Sequence, residues 1–130
     1  MVMRRRLHGA GFTLIEILGV LSIIATLLTL VAPRYFQTLD RSRETVLRHD
    51  LNVMRDAIDK YYSDTGVYPD TLENLVERRY LREVPTDPIT GSWETWLLIA
   101  PADPQAGGNV YDIRSGSPDV AEDGSYYADW

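Results

Sequence analysis

The chain contains no cysteine. That absence excludes disulfides and thiolate metal sites, and leaves the redox compartment without a marker. Histidine is nearly absent too: His8 lies in the opening segment, and His49 has no acidic or cysteine partner at metal-ligating spacing, so a surface position is expected for it. No serine sits in a GxSxG setting and no glycine-rich phosphate loop is present, so nothing in the chain points to an enzyme. Acidic residues are missing from the first eleven positions, which hold Arg4, Arg5 and Arg6 instead. From Phe12 to Pro33 charge of either sign is missing, with the single exception of Glu16.

What is present fits a small chain with one apolar element and one modest globular part. At 130 residues there is room for a single domain, and the 45% hydrophobic content leaves enough apolar residues beyond position 33 to build a core. The formal net charge is −6; without Arg4, Arg5 and Arg6 it becomes −9, with ten basic residues against nineteen acidic. A surface of that sign repels phosphate backbones and argues against a nucleic-acid partner.

A helix over Phe12–Pro33 reaches roughly 33 Å at about 1.5 Å per residue, enough to cross a hydrocarbon core of about 30 Å. The arginines ahead of it predict a cytoplasmic start and a remainder on the far side of the membrane. A cleaved secretory signal is a poor fit, because its apolar region is about 7–15 residues and ends at a small-x-small site. Here the run is longer and ends at AlaProArgTyr. A plain signal anchor fits length and orientation but leaves Glu16 unexplained. A carboxylate in such a helix costs about 2.5–3.5 kcal/mol at mid-bilayer, which makes it a functional-site candidate, the bland alternative being a side chain that snorkels to the headgroups.

The string GFTLIE, Gly11 to Glu16, behind a short basic leader and ahead of a continuous apolar helix, resembles the class III signal of type IV pilins and type II secretion pseudopilins. The resemblance implies that a prepilin peptidase removes residues 1–11 by cutting after Gly11 and methylates the new amino terminus at Phe12. It implies that Glu16 meets the charged amino group of Phe12 on a neighbouring subunit, each charge being tolerable in a dry place only as a pair. It further implies a homo-oligomeric filament, other pseudopilins, an assembly ATPase and an inner-membrane platform as partners. The expected location is the bacterial inner membrane with a periplasmic head.

Beyond the apolar run, Leu47, Leu51, Met54, Ile58 and Tyr61 recur at alternating spacings of four and three, the stripe of an amphipathic helix. Pro33 marks an expected kink or loosening upstream of it. The Asp64, Thr65, Gly66 trio is an expected helix stop, and Thr71 an expected amino-terminal cap for a second, short helix carrying Leu72, Leu75, Val76 and Leu81. The fold class expected is therefore α+β. Its parts are a leader over 1–11, a transmembrane or filament-core helix over 12–34, an amphipathic helix over 35–64, and a head over 65–130. Pro85, Pro88 and Gly91 force an ordered loop between Tyr80 and Trp93. That segment is similar to the major-pseudopilin pattern of Tyr-Leu, Pro, Asp-Pro and Gly, with Ile89 where an aromatic is usual. Trp93–Ala100 and Asn109–Ser115 read as an antiparallel strand pair, and Trp93 and Trp96 as core and interface residues.

The tail from Ser115 to Trp130 crowds Asp119, Glu122, Asp123, Ser125 and Asp129 among glycines. Its chemistry alone leaves two options, a solvated acidic tail or a calcium loop, since Ca2+ accepts six to eight hard oxygens in flexible geometry. The resemblance to the major pseudopilin implies calcium, held by Asp119, Asp123 and Ser125, although Val120 stands where a glycine is usual. The missing cysteine pair disfavours a typical type IVa major pilin. A minor pilin-like subunit and a membrane-anchored binding module that never polymerises stay as alternatives.

Overall fold

A computed structural model describes residues 11–130, so the leader arginines and His8 lie outside the described residues. The chain divides into two compact units, one ending at Gln37 and one running from Thr38 to Trp130. A single helix, α1, runs Leu14–Thr65 with Pro33 inside it.

Within the first unit the side chains of Leu14 to Val31 face outward, from Leu14 at 77% exposure to Ile24 at 46%. Among the described residues no other element of this unit covers them. The few polar groups in the stretch are satisfied by the helix itself: the hydroxyls of Ser22, Thr26 and Thr29 donate to the carbonyls of Leu18, Ser22 and Ala25. A helix that consumes its own polar atoms in this way is suited to a medium without water. By length and composition it is a candidate membrane span.

In the second unit the expected stripe becomes the core. Leu47, Leu51, Met54, Ile58 and Tyr61 are all buried, together with Ala57. Burial of each larger side chain stabilises the fold by about 1.5–3 kcal/mol. Their partners are Leu72, Leu75, Leu81, Trp96, Val110, Ile113, Ala121 and Tyr127. Helix α1 ends as expected, with Gly66 in the left-handed region at φ 77° and its N–H donating to the Tyr62 carbonyl.

The second helix, α2, spans Leu72–Glu77, and Thr71 Oγ1 accepts the Asn74 N–H at its start. It closes through Arg79, a non-glycine residue at φ 64°, while the N–H groups of Tyr80 and Leu81 both return to the Leu75 carbonyl. The loop after it is ordered by Asp87, which is wholly buried. Its carboxylate accepts the N–H of Ile89 and the hydroxyl of Ser115, tying the loop to the far end of the chain.

The antiparallel pair exists but is shorter than expected: β1 is Leu97–Ile99 and β2 is Asp112–Arg114, with Leu98 opposite Ile113. The residues ahead of β1 are drawn elsewhere. The Trp96 indole N–H donates to the Pro85 carbonyl, and the Thr95 hydroxyl pairs with that of Thr90. Ahead of β2, the N–H groups of Asn109 and Val110 both go to the Pro69 carbonyl. Trp96 is core, as expected, whereas Trp93 is 49% exposed. Between the strands lie a 3-10 turn at Pro104–Ala106 and Gly108, at φ 75°, where an added β-carbon would overlap the Tyr68 carbonyl.

Candidate functional site

At the head of α1, Gly11 has open space around it and Phe12 is 85% exposed. Glu16 is not solitary. Its backbone N–H donates to Thr13 Oγ1 at 3.3 Å, and its carboxylate accepts the Thr13 N–H at 3.4 Å. This reciprocal pair is a capping box, which satisfies two of the helix's orphan donors and sets a carboxylate at the positive end of the helix dipole. The signal was in the sequence as Thr-x-x-Glu, and Thr13 is the residue that sequence reasoning passed over. One face of the first turns is apolar, where Phe12, Ile17, Val20 and Leu21 surround Glu16. The arrangement presents one carboxylate in an otherwise apolar surface, held at a fixed rotation by Thr13.

The second region is the tail, which packs on α1 within the Thr38–Trp130 unit. Arg41 Nε lies 3.0 Å from Glu122 Oε2 and Arg41 Nη2 lies 3.2 Å from Oε1, a forked ion pair. Glu44 accepts two bonds of 2.9 Å, from the Glu122 N–H and from the Tyr127 hydroxyl. The Arg48 guanidinium stands 3.9 Å from the centre of the Trp130 ring. Arg55 reaches Asp112 at 2.8 Å, the Ile113 carbonyl at 3.0 Å and the Trp130 carbonyl at 2.6 Å. These four helix residues flank the buried stripe, which their spacing from Leu47 and Leu51 makes legible only in retrospect.

The electrostatics follow from these contacts. The Arg41 hydrogen bond holds the Glu122 carboxyl below its usual range, and the Ser125 hydroxyl does the same for Asp123. Burial, assisted by the Glu44 hydrogen bond, pushes the Tyr127 phenol up to about 12.

Of the three expected calcium donors, Asp123 and Ser125 are hydrogen-bonded to each other. Asp123 Oδ1 accepts both the N–H and the hydroxyl of Ser125, and Ser125 Oγ accepts the Trp130 indole N–H at 2.7 Å. Asp119 instead lines a concavity with Asp40, Arg43, Ile89 and Tyr127. Its carbonyl accepts the Tyr127 N–H, and the loop closes through an isolated bridge between Val120 and Tyr126. The oxygens of Asp119, Asp123 and Ser125 are of the kind calcium takes. Among the described residues no three acidic or histidine side chains gather at a point that could hold a metal. His49, expected at the surface, is exposed.

Comparison with curated proteins gives related sequences over most of the chain. The type II secretion system core protein G of Pseudomonas aeruginosa is 32% identical over 139 residues, covering 95% of this chain and 92% of that protein. Its counterpart in Escherichia coli K12 is 31% identical over 126 residues, covering 84% of this chain and 81% of the relative. The fimbrial protein EcpC of Eikenella corrodens is 37% identical over a shorter stretch of 59 residues, 45% of this chain and 39% of that protein. No family model matches the chain, and no solved structure does.

Proposed function

The chain belongs to the type II secretion core protein G family, and from that premise we propose that it is a structural subunit of a type II secretion pseudopilus that works by polymerising through α1. What carries this proposal is 32% identity to a secretion-system core protein along 95% of the chain, together with the GFTLIE segment leading into a helix whose apolar surface no other described residue of its own unit covers.

The proposed sequence of events uses the residues at the head of α1. A prepilin peptidase hydrolyses the peptide bond after Gly11, water completing the Gly11 carboxylate and freeing the Phe12 amine, and that amine then loses a proton and takes a methyl group from an electrophilic methyl donor. It stays cationic. The subunit waits in the inner membrane with its second unit on the periplasmic side, as the arginine-rich start dictates. On assembly the Glu16 carboxylate accepts the Phe12 ammonium of the adjoining subunit. An unpaired carboxylate costs about 2.5–3.5 kcal/mol at mid-bilayer, so the pair favours one axial register over slipped ones, where both charges would stay unmatched. Thr13 holds Glu16 at the required rotation beforehand. The assembly ATPase, the inner-membrane platform and the other pseudopilins act from outside the chain.

Glu16→Ala tests this directly in cells that carry the rest of the secretion machinery. The expected outcome is a subunit that still inserts and is still cleaved after Gly11 but yields no filaments. Normal filaments from the Ala variant would remove the pairing role. A wild-type protein that is never found in ordered assemblies would favour the anchored, non-polymerising module instead.

A further inference from the structure

The tail concentrates Asp119, Glu122, Asp123 and Asp129 within eleven residues, and such a cluster repels itself unless positive charge offsets it. One divalent cation is one way to supply that charge. In this chain arginines already stand where it is needed. Arg41 forks onto Glu122, Arg114 Nη1 lies 3.9 Å from Asp129, Arg43 shares the concavity of Asp119 and Asp40, and Arg48 stands over the Trp130 ring whose indole N–H holds Ser125 against Asp123. Two of the oxygens that a cation would claim, Asp123 Oδ1 and Ser125 Oγ, are also committed within the protein. Asp123 and Ser125 bond to each other, and Ser125 is capped in turn by the Trp130 indole.

We propose that the acidic tail is closed onto α1 by a clamp of Arg41, Glu44, Arg48 and Arg55, and that this clamp takes the place of a divalent cation. Each residue has a separate task. Arg41 fixes Glu122 at the start of the loop. Glu44 receives the Glu122 N–H and the Tyr127 hydroxyl, pinning the loop at two points five residues apart. Arg48 covers the Trp130 ring, which holds the indole N–H on Ser125 and so keeps the Ser125–Asp123 pair closed. Arg55 takes the Trp130 carbonyl at the far end. Calcium taken by Asp123 Oδ1 and Ser125 Oγ would compete with the hydrogen bond between them. The clamp is a property of the Thr38–Trp130 unit and holds whether or not the chain polymerises.

Hydrogen exchange followed by mass spectrometry on the full chain in detergent micelles tests it, with the α1 core amides around Leu51 and Met54 as an internal control. In wild type, tail amides from Val120 to Trp130 should exchange at the same rate in EDTA and in excess Ca2+. A variant carrying Arg41→Gln and Arg48→Gln should exchange about tenfold faster in the tail with the core amides unchanged, the signature of local opening. Protection gained from Ca2+ beyond about twofold in wild type would mean that the closed tail binds the ion by mass action, and would overturn the proposal. So would a double variant whose tail is as protected as that of wild type. The wild-type comparison needs no substitution, so a variant that fails to fold leaves the test intact.

Discussion

Removing Arg55 should open the largest gap among the ion pairs of the second unit. The pair with Asp112 is only 32% and 26% exposed on its two sides, far drier than Arg41 with Glu122 at 69% and 43%. Arg55→Ala deletes three hydrogen bonds at once, to Asp112, Ile113 and Trp130. Hydrogen bonds from a charged donor contribute about 1.5–3 kcal/mol each when removal strands the partner. Stranding is incomplete here, because Asp112 Oδ1 still accepts the Ile113 N–H and the two carbonyls can take water at this half-buried edge. A net loss of about 2 kcal/mol is therefore expected, below the 3–5 kcal/mol of roughly fully buried pairs. For a unit of this size that corresponds to a melting shift of roughly 8–16 °C. Urea unfolding of the full chain in micelles, followed by circular dichroism, measures it. Asp112→Ala in the Arg55→Ala background should add no more than the loss of its bond from the Ile113 N–H, since the ion-pair partner is already gone. A single-variant loss under about 0.5 kcal/mol, the scale of an exposed pair, would refute the claim that Arg55 anchors both β2 and the tail.

Three further outcomes follow from the same contacts. The Tyr127 phenol, raised above its unfolded value of 10.0 to about 12, adds stability that is complete below pH 10 and is lost as pH rises toward about 12. Difference absorbance between wild type and Tyr127→Phe should show this phenolate forming late, and Glu44→Gln should bring it down only part of the way, because burial is the larger cause. Glu122 and Asp123 carry the opposite sign: their contribution is complete above their ordinary values of 4.5 and 3.8 and is lost as pH falls below them, so tail exchange, corrected for its intrinsic pH dependence, should accelerate there. Asp50, whose carboxyl burial pushes up, gains as pH falls, which is why a local readout is needed and a global melting curve would blur the effect. Finally, Gly108→Ala drives a β-carbon into the Tyr68 carbonyl at a positive φ, and should lower stability by about 2 kcal/mol or more; an unchanged urea midpoint would contradict that contact.

Features set by neighbours along the chain were legible in the residues. The spacing of Leu47, Leu51, Met54, Ile58 and Tyr61 is a property of one helix, and every member is buried. Gly66 and Thr71 act on the turn beside them, and both end and start helices where their chemistry says they should. The strands are shorter than β propensity around Trp93 and Asn109 predicts, because that propensity competes with partners far away in sequence: Pro85 takes the Trp96 indole and Pro69 takes two N–H groups. The tail contacts lie further out of reach, since Arg41 and Glu122 are separated by 81 positions and no local pattern couples them. Asp119 and Asp123, paired as ligands by the resemblance, have different surroundings: Asp119 lines a concavity with Asp40, and Asp123 accepts the Ser125 hydroxyl. Thr13 is different: its box with Glu16 is readable in four residues, as Thr-x-x-Glu ahead of an apolar run.

The polymerisation account stands or falls on the chemical state of Phe12, since no ammonium exists there until the bond after Gly11 is cut. Intact-mass and amino-terminal peptide spectrometry of the protein purified from membranes of its native host reads that state. The account requires a chain that begins at Phe12 with one added methyl group. A chain isolated from working secretion complexes that still carries Arg4, Arg5 and Arg6 would contradict it.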